Sequence, residues 1–117
     1  MGKLTTHVLD TAKGKPGAEI KVSLFRLDGN NLQHVITMTT NHDGRTNEPL
    51  LEETDFQRGK YQLQFNTAEY FKNSGVALSD IPFLDDVVIR FGIDDEKAHY
   101  HVPLLVSPYS FSTYRGS

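Results

Sequence analysis

Cysteine is absent from the 117 residues of this chain. There is therefore no disulfide framework and no thiolate to hold zinc or an iron–sulfur cluster. Long apolar runs are missing too: the longest is Val102-Pro103-Leu104-Leu105-Val106, against the ~20 residues a membrane span needs. Charge of one sign never accumulates, because 12 Lys and Arg are spread among 15 Asp and Glu for a net charge of −3. No nucleic-acid footprint is visible in that pattern. No apolar signal-peptide core follows Met1, and the carboxyl end does not read Ser-Lys-Leu. The expectation is a cytoplasmic protein with neither membrane nor nucleic-acid partners.

What is present suits one domain over residues 1–117, long enough to remove roughly 60–70% of its unfolded surface from water. Nine glycines and five prolines punctuate short runs rich in Val, Ile, Thr, Phe and Tyr, the texture of an all-β domain. Residues 4–10 form a first strand, ended by the Lys13-Gly14-Lys15-Pro16-Gly17 turn. Residues 19–27 and 32–40 form a hairpin about Asp28-Gly29-Asn30-Asn31, whose residues tolerate positive φ. Pro49-Leu50-Leu51 offers a short edge strand. Residues 59–66 alternate Tyr61, Leu63 and Phe65 with Gln62, Gln64 and Asn66. Thr67 then caps one short helix that Gly75 stops. After a loop over 76–84, alternation resumes through Val87, Ile89, Phe91 and Ile93, and strands over 98–105 and 109–114 complete the chain. About eight strands and one short helix favour a two-sheet sandwich over a closed barrel.

Alternation also assigns faces. If Leu4 and Val8 face the core, Thr5, His7 and Leu9 face away from it. If Tyr100, Val102 and Leu104 face the core, His99, His101, Pro103 and Leu105 share the other side. Tyr109 and Phe111 oppose Ser110, Ser112 and Tyr114. Histidines on solvated strand faces are ordinary, and His34 and His42 read that way. His99-X-His101 projects two rings from one face, a spacing open to zinc with a third histidine and equally to two independent imidazoles. Arg45, after Asp43-Gly44, reads equally as a functional cation or as a charge leaving a turn. The flat, uncharged stretch 109–114 invites symmetric strand-to-strand pairing if left at an edge, and Leu9, Leu105 and Tyr114 offer a second, face-to-face contact.

Three blocks carry a family resemblance: Leu4-Thr5-Thr6-His7-Val8-Leu9-Asp10, then Asp43-Gly44-Arg45, then His99-Tyr100-His101-Val102-Pro103-Leu104-Leu105 running through Ser107-Pro108-Tyr109 to Tyr114-Arg115-Gly116-Ser117. With these the sequence resembles the 5-hydroxyisourate hydrolases, the transthyretin-like enzymes of urate breakdown, over essentially its whole length. The terminal Tyr-Arg-Gly-Ser is the specific part, since hormone-carrying transthyretins lack it and lack the equivalents of His7, Arg45 and His101. Phe111 stands where the family often has Tyr. The resemblance implies a transthyretin-like sandwich and a homotetramer, a dimer of dimers with active sites at the dimer–dimer interface. It implies hydrolysis of 5-hydroxyisourate at a cyclic amide with no cofactor and no metal. His7, Arg45, His101 and Ser117 would be the catalytic set, and His7, Arg45 and Tyr114 would contact substrate. It leaves His99 without a role. The competing readings are a non-catalytic carrier that holds a small aromatic ligand in the same cleft, and an immunoglobulin-like adhesion or structural module.

Overall fold

A computed structural model describes residues 2–116. In chain order the elements are β1 (Lys3–Asp10), β2 (Lys15–Pro16), β3 (Lys21–Asp28), β4 (Asn31–Thr39), β5 (Leu51–Glu52), a 3₁₀ turn (Glu53–Asp55), β6 (Gly59–Phe65), α1 (Thr67–Asn73), β7 (Val87–Ile93), β8 (Tyr100–Val106) and β9 (Phe111–Thr113). They build two sheets. One runs β2-β1-β8-β9 with β5 also on β1, and the other runs β4-β3-β6-β7. Among the described residues no helix is long and apolar enough to cross a membrane.

The sheets face each other through the residues that alternation assigns inward. Leu4, Val8, Leu104 and Val106 meet Val22, Leu24, Leu63, Phe65 and Val87, all buried. Each such side chain contributes about 1.5–3 kcal/mol by leaving water. Asp10 is also buried, at the end of β1. Its carboxylate accepts the backbone N–H groups of Ala12 and Lys13 and, at 2.7 Å, the Tyr70 hydroxyl. That last bond pins α1 to the first sheet.

The sandwich, the single short helix and the β3–β4 hairpin follow the sequence reading. Asp28 pairs with Asn31, and of the two residues between them only Gly29 has positive φ, the pattern of a II′ turn. Several boundaries differ for local reasons. Lys15–Pro16, read as part of a turn, pairs with Leu9 and Asp10 as a two-residue strand. The second strand starts at Lys21 instead of residue 19, because Glu19 sits at φ +60 and breaks the extended run. Thr67 is the first helical residue and not the cap: Asn66 takes that place, and the Thr67 hydroxyl donates to the Asp85 carbonyl. The last two strands are shorter than expected, at Tyr100–Val106 and Phe111–Thr113.

Leu63, fully buried in the middle of a central strand, supplies the stability test. Leu63→Ala is expected to lose about 2–5 kcal/mol, and Leu32→Ala, on an exposed β4 side chain, no more than about 0.5 kcal/mol. Urea denaturation of both at one fixed protein concentration measures the difference.

Candidate active site

β1 and β8 lie side by side in parallel, with Leu4 opposite Tyr100, Thr5 opposite His101 and His7 opposite Pro103. The core side of this pairing is held by apolar contacts and by the buried Thr6 hydroxyl, which donates to the Val102 carbonyl at 2.7 Å. The opposite side carries Thr5, His7, Leu9, His101 and Leu105, all half-buried. These five belong to the outward set that alternation assigns; of its other two members, Pro103 is buried and His99 is exposed just before β8.

Two further segments are drawn to this surface by backbone pairing. His7 forms an isolated antiparallel bridge with Arg45, and Val8 donates its N–H to the Gly44 carbonyl at 2.8 Å. Gly44 lies at φ +77, and any Cβ there would collide with the Val8 carbonyl oxygen, so Asp43-Gly44-Arg45 needs its glycine for both conformation and space. On the other flank Gly116 bridges to His101, donating its N–H to the His101 carbonyl at 2.7 Å. A Cβ on Gly116 would reach 3.0 Å from the His101 ring. The close approach of the tail to β8 depends on that glycine.

The imidazoles are held as follows. His7 Nε2 lies 3.0 Å from the Asp43 carbonyl oxygen, which only accepts. The neutral ring therefore carries its proton on Nε2 and presents Nδ1 as a free base. His101 Nδ1 lies 2.8 Å from the Thr5 hydroxyl, and His99 Nε2 lies 3.0 Å from the same oxygen. No hydrogen bond among the described residues engages His101 Nε2. His99 precedes β8 and is exposed. Burial pushes the His101 pKa below its ordinary value, and the charges of Arg45, His7 and His99 push it further down. The His7 pKa is lowered by burial first and by Arg45 second, and the Asp43 carbonyl and carboxylate oppose the shift in part. Both rings are thus neutral near pH 7 and able to take up a proton. Arg45 is exposed, a planar cation whose charge acts on both rings.

Thr5, Arg45, His99 and His101, with Glu48 and Pro49, line an open depression of about 400 Å³, within the range of small-molecule sites. A larger depression of about 670 Å³ beside α1, bordered by Lys72, Leu78 and Pro82, contains no imidazole or guanidinium. Of the residues expected at the site, His7, Arg45 and His101 come together. Tyr114 does not join them within one chain: it is largely exposed and lines a separate groove with Arg90, Tyr100 and Arg115 between the β7 and β9 edges. Ser117 lies outside the described residues. Thr5 is the residue the sequence reading placed on the correct face without a role. Among the described residues no three His, Cys, Asp or Glu side chains group as metal ligands, and the His99 and His101 nitrogens nearest each other both meet the Thr5 hydroxyl.

The chain matches the HIUase/Transthyretin family over residues 4–116. It is 56% identical over 117 residues to the 5-hydroxyisourate hydrolase of Pseudomonas aeruginosa, covering 100% of this chain and 93% of that protein. The crystal structure of (S)-allantoin synthase superposes with a TM-score of 0.94 at 48% identity, covering 99% of this chain and 44% of that longer one. Sea bream transthyretin in complex with thyroxine superposes with a TM-score of 0.86 at 27% identity, covering 97% and 94%. A thyroxine-bound transthyretin and part of an (S)-allantoin synthase therefore share this fold, so the fold alone does not assign a function.

The electrostatics of the site are open to direct titration. Because the folded-state pKa values of His7 and His101 lie below 6.5, the unfolded chain binds more protons than the folded one as pH falls. The stability these two rings contribute is present above pH 6.5 and is lost on acidification below it. Histidine NMR titration is expected to give midpoints below 6.5 for both, each rising in Arg45→Gln. A midpoint above 6.5 for either ring contradicts this arrangement.

Proposed function

The chain belongs to the HIUase/Transthyretin family, and within it we infer that it is a hydrolase and not a carrier: it opens the six-membered ring of 5-hydroxyisourate at a cyclic amide, giving 2-oxo-4-hydroxy-4-carboxy-5-ureidoimidazoline. The observation that carries this reading is that one sheet face bears both His7 and His101 while Arg45 bridges to His7 and lines the same depression as His101. Holding a flat aromatic ligand requires apolar walls and a few oriented polar groups. Two neutral bases beside a permanent cation suit hydrolysis, which needs an acceptor for the proton of water and a stabilised oxyanion.

Water is a poor nucleophile at neutral pH, so the site must remove its proton, stabilise the oxyanion that forms on the attacked carbonyl, and protonate the departing nitrogen. His101, with Nε2 unpartnered by the described residues, is the base that activates water and then returns the proton to nitrogen. General acid–base catalysis of this kind contributes ~10²–10⁴ in rate. His7 presents Nδ1 on the same face and orients the substrate or shares the proton. Arg45 binds the flat polar heterocycle and stabilises negative charge on its oxygen. Ser117, which lies outside the described residues, is assigned the holding of the attacking water through its hydroxyl.

One chain offers this chemistry only an open depression. We assign the missing walls to other copies, in a homotetramer whose dimers form through the sheet edges and whose active sites form where two outer faces meet. The support is physical: Leu9 and Leu105 lie half-buried beside the imidazoles, and the edge strand β9 is exposed. Tyr114 reaches substrate across that interface. The setting is the cytoplasm, where no disulfide is needed.

Two variants test the residue assignments. His101→Asn is expected to lose ~10²–10⁴ in turnover with the tetramer intact by light scattering, and unchanged turnover removes His101 from the mechanism. Ser117→Ala is expected to lower kcat, and full activity in that variant removes Ser117 from the assignment.

A further inference from the structure

Among the described residues, the Thr5 hydroxyl hydrogen-bonds with both His99 and His101, at 3.0 and 2.8 Å. A hydroxyl has a single proton to donate and lone pairs to accept with. Its two contacts therefore constrain each other. If His101 donates Nδ1–H to Oγ1 and Oγ1 donates to His99 Nε2, His101 Nε2 is left as a free base. If the chain runs the other way, His101 Nε2 carries the proton and is an acid. One rotation of shared protons converts the base form of His101 into its acid form.

We propose that Thr5 is a positioning residue that links His101 to His99 as a proton relay, parking on exposed His99 the charge that His101 takes up during turnover. The proposal rests on the hydrolase reading and deepens it by giving roles to two residues that reading leaves idle. The steps balance. As the water oxygen bonds to the carbonyl carbon, its proton passes to His101 Nε2, Nδ1–H passes to Oγ1, and the Oγ1 proton passes to His99 Nε2. His101 is then neutral with Nε2 protonated, and His99 is the cation. When the C–N bond breaks, His101 gives its Nε2 proton to the departing nitrogen and the relay returns one proton from His99 through Oγ1 to Nδ1. The second proton of water stays on the new carboxyl group, which ionises into solvent.

The surroundings favour this direction of charge movement. His101 is half-buried beside His7 and Arg45, which both disfavour a second positive charge there. His99 is exposed at the end of the relay, where water solvates an imidazolium. Glu48, also exposed, borders the same depression and adds a negative charge to it. The register of β1 against β8 places Thr5 directly opposite His101. A β-branched residue in a strand holds its χ1 stiffly, so the hydroxyl is aimed by the fold.

The test uses the full-length chain and follows loss of 5-hydroxyisourate absorbance. Thr5→Val keeps shape and strand preference but removes the hydroxyl, and should lower kcat at least about tenfold, a part of the ~10²–10⁴ a positioned acid–base group provides, with little change in KM. Thr5→Ser should retain activity within about threefold on the same grounds. His99→Asn should resemble Thr5→Val, the double variant should be no worse than either single one because the two act in one chain, and added imidazole should raise kcat of His99→Asn alone. Parent-like kcat in Thr5→Val or in His99→Asn, or losses that multiply in the double variant, would overturn the relay and leave the hydrolase reading standing. A parent protein that does not accelerate the decay would overturn both.

Discussion

The site depends on the parallel register of β1 against β8. A slip of one residue would bring Tyr100 or Val102 opposite Thr5 and turn the imidazole of His101 into the core. The register is held from the other side, where Leu4, Val8 and Leu104 are sealed between the sheets and the Thr6 hydroxyl is bonded to the Val102 carbonyl. Packing of the sandwich and placement of the reactive nitrogens are thus one constraint. The free edge of β1 is then covered piecewise by β5, the Arg45 bridge and β2. Each piece fixes a different part of the site without adding a full strand to the sheet.

Electrostatics follow from the same geometry. Among the described residues neither His7 nor His101 hydrogen-bonds a carboxylate; His7 meets a carbonyl and His101 a hydroxyl. A carboxylate partner would raise the imidazole pKa and favour the cation. Here burial and the Arg45 charge act in the opposite direction, so the rings remain bases near neutrality. The Arg45 charge adds to burial in lowering both imidazole pKa values, and in the proposed mechanism the same charge stabilises the oxyanion.

Much of this was legible in the sequence because the strand period of two is strict. Alternation separated Leu4 and Val8 from Thr5, His7 and Leu9, and Tyr100 and Val102 from His101, and the structure keeps that division. The status of Arg45 was not legible, since its approach to His7 depends on an isolated backbone bridge across 38 positions of sequence. Thr5 was on the right face but had no partner until the pairing of β1 with β8 was known, and strand order is a long-range property that periodicity does not carry. The Glu19 backbone is not legible because positive φ is not the usual preference of Glu, whereas Asn66 and Thr67 are both favoured N-cap types between which residue type alone does not choose. Tyr114 was expected beside the imidazoles and lies in another groove of its own chain.

Because a thyroxine-bound transthyretin has this same fold, function here resides in a few side chains laid on a shared scaffold. The proposed hydrolytic site is built by His7, Arg45 and His101. Its most direct test is ultraviolet spectroscopy of 5-hydroxyisourate generated freshly from urate, comparing its disappearance with and without the protein. The account predicts decay well above the spontaneous rate and proportional to protein concentration; decay at the spontaneous rate would contradict it.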